Sequence, residues 1–204
     1  MTSLASHPQR NSLRLLLRKN ASLQGLSASQ WAELEPLLVV ADYRKGDPLV
    51  RQGDEEMEQF FILEGMVKRV VSNPQGREMI LRFAAEGEMD TSYAAWRLRT
   101  PVPYSIVAVT TKVRSAELPM PLWVQFLERN PELKARFEYE VMKLMSEVMA
   151  HTITLHLLDA PGRLLRFRRK HPELAGRIPK KELAAYLNLT PETLSRLKQR
   201  HAAG

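Results

Sequence analysis

Short segments rich in β-branched and aromatic residues, separated by single glycines, occupy the chain from about residue 40 to 118. Gly46, Gly53, Gly65 and Gly76 divide this stretch at intervals of 7 to 12 residues. Glycine supplies the positive φ angle that many tight turns need. The spacing is typical of an antiparallel sandwich or barrel. After Pro103 two more strands are expected, so the whole region 40–118 is predicted to be β-structure.

Helical patterns precede this β-rich region. Residues 1–20 resemble a loose start followed by a short helix from Leu13. Ser27 and Gln30 have the spacing of a capping box, in which two side chains satisfy free backbone N–H groups at a helix start. Apolar residues then recur at helical spacing, at Trp31, Leu34, Leu37 and Leu38. A helix is therefore expected to begin after Ser27.

A nearly heptad stripe of apolar residues predicts one long helix over about 129–158. One interpretation packs this helix on its own β-domain, and another shares it between two subunits. The stripe is wide enough for both, so we expect one edge on the β-domain and the other on a second copy. The residues assigned to this dimer helix are Phe137, Val141, Leu144, Met145, Val148 and Leu155.

The sequence Asp-Ala-Pro-Gly at 159–162 ends that helix and marks a domain boundary. Residues 161–204 hold 11 Lys or Arg and three acidic residues, a net charge of +8, whereas residues 1–160 have a net charge of −1. A basic small part joined to a neutral large part suits a polyanion, with nucleic acid as the first candidate. A solvated helical face is the alternative.

Residues 180–197 have the pattern of a helix-turn-helix. Leu183, Ala184 and Leu187 supply the inward positions of the first helix, where a small residue lets the second helix cross closely. Asn188 stands at the turn, and Asn tolerates the left-handed backbone conformation. The remaining inward positions fall on Leu189, Leu194 and Leu197. A helical hairpin with a charged face is the alternative, which the local charge disfavours.

The second helix of this motif has a strong start signal. Thr190 is a natural N-cap, Pro191 suits the first helical position, and Glu192 favours the positive end of the helix dipole. A Glu carboxylate accepts from a cytosine amino group, and an Arg guanidinium clamps a guanine edge. Base reading is assigned to Thr190, Glu192, Thr193 and Arg196. Phosphate contacts are assigned to Lys180, Lys181, Lys198, Gln199 and Arg200.

The chain lacks the residues that several functional classes of protein need. The chain has no cysteine, which excludes disulfides, thiolate metal sites and a Cys nucleophile. No nucleophile elbow or phosphate loop occurs, and His151 and His156 do not share a helix face. We expect neither an enzyme nor a metal site. The longest uncharged stretch, 100–111, is too short to cross a bilayer, so a cytoplasmic protein without a membrane partner is expected.

These patterns together resemble the cyclic-AMP receptor/fumarate-nitrate regulator (CRP/FNR) superfamily of bacterial transcription regulators, over about 20–201. Residues 43–54, 61–68 and 76–78 resemble the glycine turns and hairpins of its β-roll. Residues 189–196 resemble its recognition helix, in which a Glu and an Arg four residues later read bases. Those roles fall on Glu192 and Arg196, while Pro191 stands where some members have another base-reading Arg.

The end of the sequence resembles a short-tailed subgroup of the superfamily, without an evident wing. In many members a β-hairpin wing after the recognition helix touches phosphates. We expect the basic helix at 163–170 to take over such contacts.

The resemblance also implies a cyclic-nucleotide cassette with a Glu for the ribose and an Arg for the phosphate. By alignment Ser92 replaces that Glu, and Tyr104 replaces that Arg. A buried phosphate without its Arg leaves a charge unpaired, so no response to cyclic AMP is expected. The effector is unknown, and haem stays an alternative through His151, His156 or a Met. The effector pocket is assigned to Met89, Ser92, Tyr93, Tyr104 and Ser105, with an apolar core as the alternative for Met89 and Tyr93.

The expected fold class is α+β, with an N-terminal β-roll (jelly roll) like a cyclic nucleotide-binding domain, flanking helices, a long dimerisation helix and a C-terminal helix-turn-helix. The domains expected are 1–158 and 159–204. The function expected is a homodimeric transcription regulator that binds near-palindromic double-stranded DNA, with RNA polymerase as a further partner. The alternative is a β-roll ligand-binding or protein-interaction module that has lost specific DNA readout. No cofactor is predicted.

Overall fold

The structure is a computed structural model that describes residues 2–76 and 78–200, with the side chain of Arg200 excepted. Arg77 of the expected hairpin motif and residues 201–204 lie outside the described residues. Within them, the strands in chain order are β1 (Thr2–Ser3), β2 (Val39–Arg44), β3 (Pro48–Val50), β4 (Glu58–Glu64), β5 (Met66–Ser72), β6 (Glu78–Ala85), β7 (Met89–Thr91), β8 (Ser105–Ala108) and β9 (Lys112–Pro119).

These strands form two antiparallel sheets. The first sheet has the order β1-β2-β9-β4-β7, and the second has the order β3-β8-β5-β6. The expected glycine turns are confirmed, since Gly46, Gly53, Gly65 and Gly76 all have positive φ. At Gly65 a side chain is also excluded by space, because a Cβ would collide with the carbonyl oxygen of Lys112.

The helices flank and follow the sheets. They are α1 (Arg10–Leu17), α2 (Ala28–Leu34), α3 (Tyr93–Leu98), α4 (Met120–Arg129), α5 (Pro131–Leu157), α6 (Ala160–Lys170), α7 (Lys180–Tyr186) and α8 (Pro191–Arg200). The capping box at Ser27 and Gln30 is confirmed. The prediction that region 40–118 is entirely β-structure is wrong, because α3 interrupts it. Ala94, Ala95 and Leu98 are strong helix formers, and a six-residue helix is too short to show a period.

The main hydrophobic core lies between the two sheets and helices α1 to α5. Trp123 of α4 is fully buried and packs edge-on against Phe61 of β4 and Phe137 of α5, with ring centroids 5.5 and 5.2 Å apart. The N-terminal half of α5 is therefore part of the β-roll. The α+β class, with its antiparallel β-roll, is confirmed.

A second hydrophobic cluster joins the outer face of the second sheet to the C-terminal helices. Ile80 and Phe83 of β6 share it with Phe167 of α6, Tyr186 of α7 and Leu194 of α8. Helix α5 ends at Leu157 and α6 begins after its N-cap Asp159, so the break lies at Leu158 and Asp159, while Pro161 and Gly162 of the expected stretch belong to the first turn of α6. The division into domains 1–158 and 159–204 stays a prediction, and the shared cluster shows that the two parts pack together.

Two ion pairs lie across the same contact. Lys68 of β5 donates to Glu182 of α7 at 2.8 Å. Arg177, just before α7, donates to both carboxylate oxygens of Glu86 at 2.8 and 2.7 Å. The basic segment is therefore held to the β-roll by apolar and charged contacts together. Among the described helices, none has the length and apolar character needed to span a membrane.

Candidate nucleic-acid interface and effector cavity

Helices α7 and α8 form a helix-turn-helix whose turn has the conformation that the sequence predicted. Asn188 has a φ of 52°, in the left-handed region. Leu183, Ala184 and Leu194 are buried between the helices and the rest of the cluster. Thr190 caps α8, because its Oγ1 accepts from the backbone N–H of Thr193 at 3.2 Å. The turn and the cap fix the direction in which α8 presents its outer face.

That outer face carries the side chains assigned to base reading. Thr190, Glu192 and Arg196 are exposed, and Thr193 is half-buried. The Thr193 hydroxyl lies 3.1 Å from the Thr190 hydroxyl and 3.4 Å from an Arg196 guanidinium nitrogen, which donates to it. Backbone N–H groups at the helix start and the Thr190 hydroxyl lower the pKa of Glu192, so its carboxylate is ionised at neutral pH. An exposed acceptor and an exposed fork of donors thus lie one turn apart.

The residues assigned to phosphates lie around this face. Lys180 and Lys181 are exposed at the start of α7, Gln199 is exposed, and Lys198 is half-buried. The side chain of Arg200 lies outside the described residues.

The expectation that the basic helix at 163–170 takes over wing contacts stays a prediction, and Arg163 of that helix also has contacts within the chain. Its guanidinium donates to the carbonyl oxygens of Leu158, Leu187 and Asn188, at 2.9, 2.8 and 3.3 Å. Arg163 therefore ties α6 to the turn of the helix-turn-helix. Arg169 and Lys170 are exposed and stay available to a phosphate.

A cavity of about 290 Å³ lies between the β-roll, α3 and α5. Its floor is formed by Arg69 of β5, Leu81 of β6 and Tyr104. Ala94, Ala95 and Leu98 of α3 form one wall. The opposite wall belongs to α5, through Val141, Leu144, Met145 and Val148.

Of the five residues assigned to the effector pocket, only Tyr104 lines this cavity. Met89, Ser92, Tyr93 and Ser105 do not line it, and their assignment to an effector pocket stays a prediction. Tyr93 faces away, packing on Phe137 and donating its hydroxyl to Glu138 at 2.7 Å. Strand alternation and helix formation turn the other three side chains away from the cavity. Ser92 is buried at the start of α3, and the Ser105 hydroxyl accepts from the Gln52 N–H. Met89 lines a separate polar cavity of about 190 Å³.

The floor of the cavity contains a buried ion-pair network. Arg69 is almost completely buried, and its Nε donates to Asp90 Oδ1 at 3.1 Å while Nη2 donates to the Thr91 carbonyl oxygen at 3.1 Å. Burial alone would lower the pKa of Arg69, but Asp90 outweighs it and raises the pKa. Arg82 donates to the second oxygen of Asp90 at 3.1 Å and lies 3.5 Å from Glu88. Two guanidinium groups therefore face two carboxylates.

Tyr104 covers this network. Its ring lies on the Arg69 guanidinium, whose central carbon is 4.0 Å from the ring centroid. Its hydroxyl donates to the Thr91 carbonyl oxygen at 2.6 Å. The aromatic residue at the position where the resemblance implies an Arg is therefore engaged with the protein itself.

Helix α5 divides its apolar residues between two faces. Phe137, Val141 and Leu144 are buried against the chain's own β-roll, on the edge that was expected to pack on the β-domain, and the dimer assignment stays a prediction. Val148 and Leu155 are half-buried and Met145 is exposed. A strip of exposed apolar residues lies beside the buried ones, with Met145 at its edge next to the cavity, and we call it the outer α5 face: Met142, Met145, Met149, Ile153 and Leu157.

His151, one of the haem candidates, is engaged in the contact between α5 and α7. Its ring stacks on Tyr186 with centroids 3.7 Å apart, which leaves no space for a haem on that side. Burial lowers the pKa of His151 to about 4, so the ring is neutral. His156 is exposed near the end of α5. Within the described residues no group of three or more His, Asp or Glu is arranged to hold a metal ion.

The chain is similar to several known proteins. The cyclic nucleotide-binding domain family matches residues 40–130, the span of the β-roll. The nitrogen fixation regulation protein FixK of Bradyrhizobium diazoefficiens is 25% identical over 203 residues, which cover 92% of this chain and 83% of FixK. The cAMP-activated global transcriptional regulator CRP of Salmonella typhimurium is 22% identical over 174 residues, covering 76% of this chain and 78% of CRP.

A solved structure shares the fold beyond the β-roll. FixK2 from Bradyrhizobium japonicum superposes with a TM-score of 0.71 at 17% identity, covering 82% of this chain and 86% of FixK2. The chain is thus similar in its β-roll to the cyclic nucleotide-binding domain family, and over most of its length to FixK and CRP. The β-roll, the long α5 and the helix-turn-helix occur in this order along most of the chain.

Two features of the structure were not predicted from the sequence. Arg69 and Arg82 lie in strands 13 residues apart in the sequence, and only the sheet register brings them to Asp90. Tyr186 was not assigned an inward role, yet it contacts Phe83, His151 and Phe167. Its position one residue before Leu187 carried a signal, since a large aromatic residue beside an inward Leu widens the buried stripe.

Proposed function

We propose that this chain is a sequence-specific DNA-binding transcription regulator that acts as a homodimer. The observation that carries the proposal is the outer face of α8, where Glu192 and Arg196 are exposed on a helix fixed by the Thr190 cap. A carboxylate and a guanidinium on one face of a major-groove helix supply an acceptor for cytosine and a clamp for guanine. Lys180 and Lys181 are exposed nearby and suit phosphates. FixK and CRP, to which this chain is similar, are named as regulators, and this supports the same function.

The second copy is expected on the outer α5 face. Its members recur at three, four, four and four residues, close to the period of a two-helix seam. An exposed apolar strip of this length is unusual on a monomer and marks an interaction surface. Two-fold pairing along α5 would place two copies of α8 for two half-sites of one near-palindromic DNA.

The β-roll is proposed as a sensor domain that does not use cyclic AMP. The residues of the cavity do not fit a cyclic phosphate. Arg69, the single charged side chain among the described residues that line it, is already paired with Asp90 and covered by Tyr104. An anion placed there would compete with a buried carboxylate for the same guanidinium, which is costly in a medium of low dielectric constant.

Selection of DNA sites from a random pool tests the proposed function. The purified protein is used at fixed, near-physiological salt, because salt alone changes affinity strongly. Enrichment of a two-fold symmetric motif with half-sites about one helical turn apart is expected. No enrichment, both with protein alone and with cell extract added, would overturn the proposal in favour of a β-roll module without specific DNA readout. RNA polymerase is proposed as a further partner once DNA is bound.

A further inference from the structure

We propose that the 290 Å³ cavity binds an uncharged, predominantly apolar small molecule, and that this molecule is the effector class of the protein. The inference rests on the sensor part of the proposed function. It starts from the lining, in which aliphatic side chains of α3 and α5 face each other across the space. An apolar wall on both sides favours a ligand that gains by leaving water.

The polar groups of the floor are already satisfied by the protein. Asp90, which has no exposed surface, takes hydrogen bonds from Arg69 and Arg82, and the Thr91 carbonyl oxygen accepts from Arg69 and Tyr104. A charged ligand would have to replace one of these bonds to be compensated. A neutral ligand leaves these hydrogen bonds intact and contacts the apolar surface of the floor.

The cavity has an access route and a connection to the outer α5 face. Leu98 of α3 and Met145 of α5 both line it and both retain large exposed surfaces. Val148, on the same wall, lies one residue before Met149 of the outer α5 face. A ligand seated between α3 and α5 therefore contacts the helix that the proposed dimer uses, and its binding energy can favour one arrangement of α5 over another.

Fluorescence titration with N-phenyl-1-naphthylamine, an uncharged apolar dye, tests this inference on the full chain. Saturable binding of one dye per chain is expected. Ala94→Phe fills the space from α3 and should weaken dye binding at least tenfold. Val148→Phe fills it from α5 and should act in the same direction. Ala32→Phe, the same change at an exposed position of α2, is the matched control and should leave the dissociation constant within twofold.

Circular dichroism and the thermal midpoint show which variants are folded. The two filling variants come from different helices, so the test still stands if one of them fails to fold. Millimolar cyclic AMP should not displace the dye. Displacement by cyclic AMP in a one-to-one ratio would overturn the inference, as would dye binding that neither filling variant weakens. The DNA site selection with wild-type protein is independent of the dye, so a failed ligand inference and a failed DNA function give different results.

Discussion

The ring of His151 in α5 lies parallel to the ring of Tyr186 in α7, with an interplanar angle of 1° and centroids 3.7 Å apart. Tyr186 in turn packs on Phe83 of β6 and Phe167 of α6, at 5.3 and 5.7 Å. One aromatic cluster therefore joins the long helix, the β-roll and the helix-turn-helix. We expect a change at its centre to affect the packing of all three, because the contacts are buried and closely packed.

Protonation of His151 should weaken this junction. The folded-state pKa is lowered from 6.5 to about 4, mainly by burial. Between pH 6.5 and 4 the His151 imidazole is protonated in the unfolded chain but stays neutral in the folded chain. The free energy of unfolding therefore falls as the pH is lowered from 6.5 towards 4. The whole effect is on the order of 3 kcal/mol. His151→Phe keeps an aromatic ring and removes the titration, so urea unfolding between pH 5 and 8 should show a smaller loss at the acid end than wild type.

The control for this prediction is His156→Phe, at an exposed position of the same helix. It should leave the pH dependence of unfolding as in wild type. Protein concentration is held constant because a dimer's stability depends on it. Equal acid sensitivity in wild type and His151→Phe would show that the ring is protonated without cost.

A second titrating group should act in the opposite direction. The pKa of Glu58 is raised to about 7, by burial first and then by the charges of Glu117 and Glu56. Between pH 4.5 and 7 the folded chain holds a proton that the unfolded chain has released, so stability falls as the pH rises through that range. Glu58→Gln removes this loss and should raise the free energy of unfolding at pH 8 by on the order of 1–3 kcal/mol. Glu55→Gln, at an exposed neighbouring position, should have little effect on the free energy of unfolding. If Glu58→Gln and wild type have equal stability at pH 8, the raised pKa of Glu58 is contradicted.

Much of this architecture could be predicted from local sequence signals. Glycine turns, the Ser27 capping box, the Asn188 turn and the Thr190 cap depend on residues within four positions of one another, and each is present. The outer residues of α8 follow from the same local pattern, since the buried position of Leu194 fixes which side chains point outward.

The cavity between the β-roll, α3 and α5 and the docking of the helix-turn-helix could not be predicted in this way. Strand alternation turned Ser105 out of the cavity, and a short helix displaced Tyr93, whereas Arg69, Leu81, Thr91 and Tyr104, which line it, come from three separate strands and a loop. The stripe on α5 predicted a helix with two apolar sides but not which residues belong to each. Phe137 and Met142 are both apolar and five positions apart, and only the packed β-roll separates the buried one from the exposed one.

The outer α5 face gives a prediction about assembly. Met149 is 66% exposed at the middle of that face. Met149→Lys should place two ammonium groups against each other across a two-fold interface, where desolvation and repulsion oppose association. Light scattering should show a shift from twice the chain mass towards the chain mass. Leu165→Lys, on α6 and 62% exposed, should stay at the wild-type mass; an unchanged mass for both variants would remove α5 from the interface.

The proposed division of labour between Arg196 and Lys181 can be measured on the selected DNA site. Arg196→Ala should lose about 1–3 kcal/mol of discrimination at one base pair of each half-site, since a bidentate base contact is removed. Lys181→Ala should weaken binding to all sequences about equally and reduce the salt slope by about 1, since a phosphate contact is lost. Both side chains are exposed, so neither change should alter folding. Affinities for the site and for every single-base variant of each half-site, measured at several salt concentrations, separate the two roles. A uniform loss with Arg196→Ala, without any change in sequence preference, would contradict base reading, and it would assign Arg196 to the phosphates beside Lys181.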